Sequence, residues 1–210
     1  MKHYNGGNVW GRVADVEKKY TDGGTPYLSI QVECPNSLYG NVKTYGRMWG
    51  DAKINAFFDY HKAHPGAAYR FRGFFSQYDK DEGRRFSNYT FFSWEVFEGG
   101  EFRAVFILTG EVTAVEVKDG EGKLYLHLIR EGSGDYKDVR EVFEVYTLNA
   151  QEVAGIQEGA LVQAKGVMSY KEPEDYFGGS PSGPVKPYVK TLKVFGQEAA
   201  PEQQTDVEAF

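Results

Sequence analysis

The sequence predicts an all-β chain with short helices, laid out as two five-stranded barrels in tandem and followed by a disordered tail. Three observations carry this expectation. Two landmarks occur twice in the same order: "VWGRVADV" (9–16) matches "LTGEVTAV" (108–115), and "PGAAYRFRGFFS" (65–76) matches "EGALVQAKGVMS" (158–169). Between the landmarks, apolar residues recur with the two-residue period of half-buried strands. After Phe195-Gly196 that period stops, and Ala, Gln, Glu and Pro take over.

The first unit, residues 1–99, opens on the strand around 9–16, with Val9, Val13 and Val16 apolar and Gly11 at the third place. "DGG" (22–24) is a hairpin signal. It leads into "YLSIQVEC" (27–34), where Leu28, Ile30, Val32 and Cys34 share one face. In "VKTYGRMW" (42–49) the small or apolar residues Val42, Thr44, Gly46 and Met48 suit an interior. "DAKINAFFDYHKAHPG" (51–66) reads as a helix capped by Asp51, apolar along Ile54, Phe57, Phe58 and His61, and stopped by Pro65-Gly66. A fourth strand alternates Tyr69, Phe71 and Gly73 with Arg70 and Arg72, and "NYTFFSWEVF" (88–97) closes the unit. Phe57, Phe58, Phe92 and Trp94 are the expected core rings.

The second unit, residues 100–196, repeats the plan. "DGEG" (119–122) precedes "LYLHLI" (124–129), with Leu124, Leu126 and Leu128 on one face; "REVFEVYTL" (140–148) follows. "NAQEVAGIQEG" (149–159) is a shorter helix between Asn149 and Gly159, and "PYVKTLKVF" (187–195) is the last strand. Three strands, a helix and two strands is the order of the OB-fold, a five-stranded Greek-key barrel, here present twice.

Composition narrows the function classes. Aromatics reach 16%, with 15 Tyr, 15 Phe and 3 Trp, which points to an unusually aromatic interior or to a surface that stacks on something. The single Cys34 excludes an intrachain disulfide, and His3, His61, His64 and His127 show no ligand spacing, so neither metal nor cofactor is expected. No phosphate-cradling loop, HExxH or nucleophile elbow occurs, and "DKDEG" (79–83) reads as a charged turn; the chain is not expected to be an enzyme. With no apolar leader in "MKHYNGGNVW" and no spanning segment, the expectation is a reduced, cytoplasmic protein without membrane contact. Residues 1–99 hold 13 basic and 11 acidic side chains, residues 100–196 hold 11 and 15, and residues 197–210 hold 4 acidic and no basic ones.

The charge gathers where strands turn outward. On strand three the outward set is Lys43, Tyr45, Arg47 and Trp49: cation, ring, cation, ring. Trp10 and Arg12, Tyr27, and Arg70 and Arg72 take the outward parity on neighbouring strands, and Tyr78, Arg84 and Arg85 flank the loop before strand five. Cations offset phosphate charge, and each base stacked on a ring is worth about 1–3 kcal/mol with little regard to sequence. Cross-strand ring pairs also stabilise exposed sheets, which is the bland alternative for any one of them. The second unit is diluted: Arg140 and Tyr146 stand beside Glu141 and Glu144, and Gln163 and Lys165 replace Arg70 and Arg72. Its loop 170–188 reads either as a flap over nucleic acid or as an acidic spacer. The first unit is therefore expected to dominate binding, with the second extending the site or mediating self-association into a homo-oligomer.

The tail ends in Asp206, Val207, Glu208, Ala209 and Phe210, an apolar side chain beside a free carboxylate on an acidic leash. Two OB-like units, the Lys43–Trp49 face and this ending together resemble the single-stranded DNA-binding proteins of bacterial and phage replication. The resemblance implies sequence-nonspecific binding of single-stranded DNA in replication, recombination and repair. It also implies a tail that recruits replication or repair proteins and competes for the basic groove when DNA is absent. The bacterial type has one unit and a long Gly/Gln-rich linker, so two units and a short tail favour a phage or mobile-element version acting in a host cytoplasm. RNA, oligosaccharide or a protein partner are the alternative ligands for such a barrel.

Overall fold

The computed structural model describes residues 3–37, 40–80, 84–130, 138–170 and 185–195. Its strands are β1 (Tyr4–Tyr20), β2 (Pro26–Ser37), β3 (Gly40–Trp49), β4 (Ala68–Lys80) and β5 (Arg84–Val96), with helix α1 (Asp51–Ala63) between β3 and β4. Then follow β6 (Arg103–Lys118), β7 (Glu121–Arg130), β8 (Val139–Thr147), β9 (Leu161–Ser169) and β10 (Lys186–Phe195). Within the first set the order β2-β3-β5-β4-β1 closes through pairing of β1 with β2; within the second, β6-β7-β8-β10-β9 closes through pairing of β6 with β9. Both rings are OB barrels.

Closure depends on long first strands that bend. In β1 the register shifts between Val13 and Asp15, so its first half pairs with β4 and its second half with β2. In β6 the shift falls between Val112 and Ala114, the matching place in the repeat. The extra residue of each bulge adds the twist that lets one strand serve two sides of a barrel. The glycines of the repeated landmarks answer to close approach. A Cβ on Gly73 would run into the carbonyl oxygen of Thr90, and one on Gly166 into that of Tyr188. Each lies beside a bulge in the last strand of its barrel.

The interior follows the expected alternation. Leu28, Ile30, Val32 and Cys34 of β2 are fully buried, as are Leu124, Leu126 and Leu128 of β7 to within a few per cent. Burial also pushes the Cys34 thiol up to about 12, so it stays neutral. The barrels share one core. β1 pairs with β6 from Tyr4 opposite Thr109 to Trp10 opposite Arg103, which makes the ten strands one continuous sheet. Across that seam Phe75 stacks on Phe106 at 5.3 Å and packs on Phe143 at 5.8 Å. Asn5 Nδ2 donates to the Phe75 carbonyl at 2.7 Å and Asn5 Oδ1 accepts from its N–H at 2.9 Å, while the buried Tyr89 hydroxyl donates to the Val105 carbonyl at 3.2 Å.

Four local expectations are corrected. The N-cap of α1 is Gly50, at φ 96°, with no side-chain cap, and Asp51 is the first helical residue, where its charge still faces the positive helix end. The second helix is only a 3₁₀ turn, Ala150–Glu152, capped by Asn149 Oδ1 accepting from Gln151 N at 3.1 Å. With Val153 its only fully buried anchor and Gly155 next, that stretch cannot offset the cost of helix nucleation. Phe92 is 45% exposed, because the bulge between Arg72 and Gly73 partners makes it the extra residue of β5 and turns it outward beside Phe74. Phe58 and Trp94 are half-buried and pack against the core from its edge, Phe58 under Lys62 and Trp94 at 5.3 Å from the Phe57 ring. Phe57 is fully buried. No helix among the described residues is long and apolar enough to cross a membrane.

Substituting Gly73 or Gly166 by Ala is predicted to destabilise the chain by roughly 1–3 kcal/mol or more, because the obstructing atom is backbone. Chemical denaturation of the two variants checks this; an unchanged midpoint for either would refute the close-approach argument for that barrel.

Candidate nucleic-acid interface

The pleat of β3 sorts its residues cleanly. Val42, Thr44, Gly46 and Met48 are buried, while Lys43, Tyr45 and Arg47 are exposed and Trp49 is half-buried on the same outer side. Each outer residue of β3 meets a partner on β2: Tyr27 opposite Trp49, Ser29 opposite Arg47, Gln31 opposite Tyr45 and Glu33 opposite Lys43. The rings of Tyr27 and Trp49 lie 4.9 Å apart at 31°, and the Arg47 guanidinium sits 5.6 Å from the Tyr27 centroid. Gln31 Nε2 donates to the Tyr45 hydroxyl at 2.5 Å, and Lys43 Nζ lies 2.7 Å from a Glu33 carboxylate oxygen. Tyr45 remains 53% exposed. The rings are thus held in place by neighbours before any ligand arrives, which lowers the ordering cost of binding. The Lys43 pair is solvent-exposed and therefore weak, so a phosphate can exchange with Glu33.

Trp10, Arg12, Arg70 and Arg72 form a second patch. β1 places Trp10 between Arg70 of β4 and Arg103 of β6, its register partners on the two sides. Both guanidinium carbons lie 5.1 Å from the Trp10 ring. Glu95 draws Arg70 and Arg72 together at 3.0 and 3.2 Å. The hydrogen bond from Arg72, then that from Arg70, hold the exposed Glu95 carboxyl below its ordinary value. Arg12 reaches over Phe102 at 5.7 Å. Trp10 is therefore dressed by cations, whereas Trp49 is dressed by a ring. The two patches adjoin through Arg12, which stands opposite Glu33 in the β1–β2 ladder.

At the β4–β5 hairpin Tyr78 and Phe86 stack at 5.9 Å and are 43% and 40% exposed. Arg85 turns the other way. Its Nε donates to Asp79 at 2.8 Å, and its NH1 reaches the Val142 carbonyl at 3.2 Å and lies 3.5 Å from Glu144. The structure thus assigns its guanidinium to the second barrel rather than to the outer face. The Arg84 side chain, residues 171–184 of the second-unit loop, and Asp206, Val207, Glu208, Ala209 and Phe210 lie outside the described residues.

The second barrel carries the same skeleton with another surface. The parallel pair Tyr146–Tyr188 stands where Arg47–Thr90 stands in the first barrel, so Tyr45 corresponds to Glu144 and Lys43 to Val142. Lys123 lies 3.3 Å from Glu144 and 3.6 Å from Glu116, donates to the Tyr125 hydroxyl at 2.7 Å, and that hydroxyl donates to Glu116 at 2.9 Å. Burial pulls the Lys123 ammonium down, but Tyr125, Tyr146 and Glu144 together outweigh it and raise it above its ordinary value. Burial, then the hydrogen bond to Glu144, raise the Tyr146 phenol as well. On this face Lys123, Glu116 and Glu144 are engaged with one another and with the phenols between them.

Arg103 and Phe102 escape a reading based on strand parity within one unit. They meet Trp10 and Arg12 only because β6 pairs with β1 across the seam, and no local sequence signal marks that pairing. Among the described residues, no group of His, Cys, Asp and Glu is arranged to hold a metal ion.

No protein-family model matches the chain, and no curated protein matches it in sequence. Solved structures do match in fold. The crystal structure of wild-type single-stranded DNA binding protein from Thermus aquaticus gives a TM-score of 0.65 at 16% identity, covering 95% of this chain and 97% of that one. A deletion mutant of the same Thermus aquaticus protein gives 0.62 at 16% identity, covering 96% and 99%. The likeness spans both barrels and speaks to the fold.

The Glu95 carboxyl is predicted to titrate below the ordinary glutamate range in the intact protein and to move upward in Arg72→Ala. Carbon-detected NMR of the side-chain carboxyls reads this directly. A value that stays put on loss of Arg72 would mean the guanidinium is not engaged there in solution.

Proposed function

We propose that this chain binds single-stranded DNA without sequence preference through the β2–β3 face of the first barrel, as a component of DNA replication, recombination and repair. Residues 1–99 form the main binding unit in this reading, and Asp206–Phe210 recruit partner proteins. The observation that carries it is the arrangement of Lys43, Tyr45, Arg47 and Trp49 along one outer face, with Tyr27 stacked on Trp49 and the alternate residues buried. Two cations and three rings spaced along adjacent strands match a sugar-phosphate backbone with unpaired bases. Duplex DNA hides its bases and offers no such stack. An oligosaccharide site has no need of the arginines and lysines that surround these rings. The likeness in fold to a single-stranded DNA binding protein supports the same reading. The acidic total is no obstacle, because the local field over the face governs the encounter.

Polarisation titrations with oligo-dT of about 25 nucleotides and with a matched duplex, at two salt concentrations, test the proposal. Preference for the single strand is expected, with affinity falling with salt at a logarithmic slope of about −2 to −4, as three to six neutralised phosphates give. Trp49→Ala and Tyr45→Ala should each weaken binding by roughly 5- to 100-fold, as loss of about 1–3 kcal/mol of stacking requires, without lowering the melting temperature appreciably. Equal affinity for duplex, or a response flat in salt, would turn the assignment toward another ligand class.

A further inference from the structure

The β4–β5 hairpin of the first barrel is a ribbon with two faces. Gln77, Asp79, Arg85 and Ser87 share one side, while Tyr78 and Phe86, a register pair, stand on the other. The first side is fastened to β8 of the second barrel. Gln77 Nε2 donates to the Glu144 carbonyl at 2.8 Å, and the Glu144 N–H donates to Gln77 Oε1 at 2.7 Å. Two residues earlier on the same strand edge, the Val142 carbonyl accepts from Arg85. Among the described residues β10 pairs with β8 at one place, Tyr146 with Tyr188. Gln77 and Arg85 therefore continue, from the other barrel, the ladder that β10 leaves open. A carboxamide that satisfies both the N–H and the C=O of one residue imitates a strand partner, and backbone groups so paired are costly to release.

This adds a polar attachment between the barrels to the β1–β6 ladder and to the packing of Phe75 on Phe106 and Phe143. It ties down the hairpin that carries Tyr78 and Phe86. Resting on the single-stranded DNA reading above, we infer that Gln77 and Arg85 are positioning residues. They fix the stacked pair Tyr78–Phe86 in place against the second barrel, so that a DNA strand longer than the β2–β3 face meets that pair at a set position. Rigid linkage raises the effective concentration of the second contact once the first is made, and that gain vanishes when the geometry loosens. A ligand short enough to lie on the β2–β3 face does not use it.

The test compares oligo-dT of about 8 nucleotides, within the span of the β2–β3 face, with oligo-dT of about 25, which runs on past it to the hairpin. The quantity read is the ratio of the two dissociation constants in the full chain, in Gln77→Ala and in Arg85→Ala. The melting temperature of each variant is recorded beside it. The advantage of the long oligonucleotide is expected to shrink at least fivefold in each variant, with affinity for the short one within about twofold of the parent. A ratio that stays the same in both variants, whether both affinities hold or both fall, overturns the positioning role. If the parent chain binds neither oligonucleotide, the single-stranded DNA reading itself fails and this inference with it. That outcome is distinct, because it appears before any substitution is made.

Discussion

A pleated strand gives only one of its sides to a core, and the outer surface of β3 follows from that constraint. Val42, Thr44 and Met48 point into the barrel, and Gly46 lies against the ring of Phe91 so closely that no side chain fits between them. A slip of one residue would drive Lys43, Tyr45 and Arg47 into the core and is forbidden by charge and by volume. The positions that remain outside are therefore fixed with the accuracy of the packing beneath them. Exposed rings are ordinarily mobile; here β2 sets a partner beside each one.

The repeat shows how one skeleton supports two surfaces. Bulges and glycines recur at matching places because they serve closure, which each barrel must solve. Outer residues carry no such duty and have diverged. Where the first barrel presents Tyr45 and Lys43, the second presents Glu144 and Val142, and its Lys123 is engaged by carboxylates and phenols. Gln77 and Arg85 of the first barrel dock on the backbone edge of β8 that carries those residues. The two barrels are thus unequal in surface and joined in structure.

Much of this was legible in the sequence, and the limits are physical. The alternations in 27–34, 42–49 and 124–129 predict burial correctly because those stretches carry no extra residue of their own; the bulges opposite two of them lie in β1 and β6. Phe92 departs from the expected parity because a bulge shifts it by one, and nothing in "NYTFFSWEVF" marks where the extra residue falls. The stretch 149–159 looked helical by its cap and its Gly end, yet it had too little apolar surface to hold a full turn of α-helix. The seam was invisible. Arg103 beside Trp10, and Arg85 on Val142, are meetings between units, set by β1–β6 pairing that local periodicity does not encode.

The outcome for the tryptophans separates the two patches of the first barrel. Trp49 lies on the ring-lined face, Trp10 lies among arginines, and Trp94 packs half-buried on Phe57 and Tyr60 at the edge of the core. Emission during titration with oligo-dT therefore reports which surface the strand covers. The account predicts that quenching is lost in Trp49→Phe and persists in Trp10→Phe. Quenching that survives in Trp49→Phe and disappears in Trp10→Phe would contradict it, and would move the binding surface from β2–β3 to the seam side of the barrel.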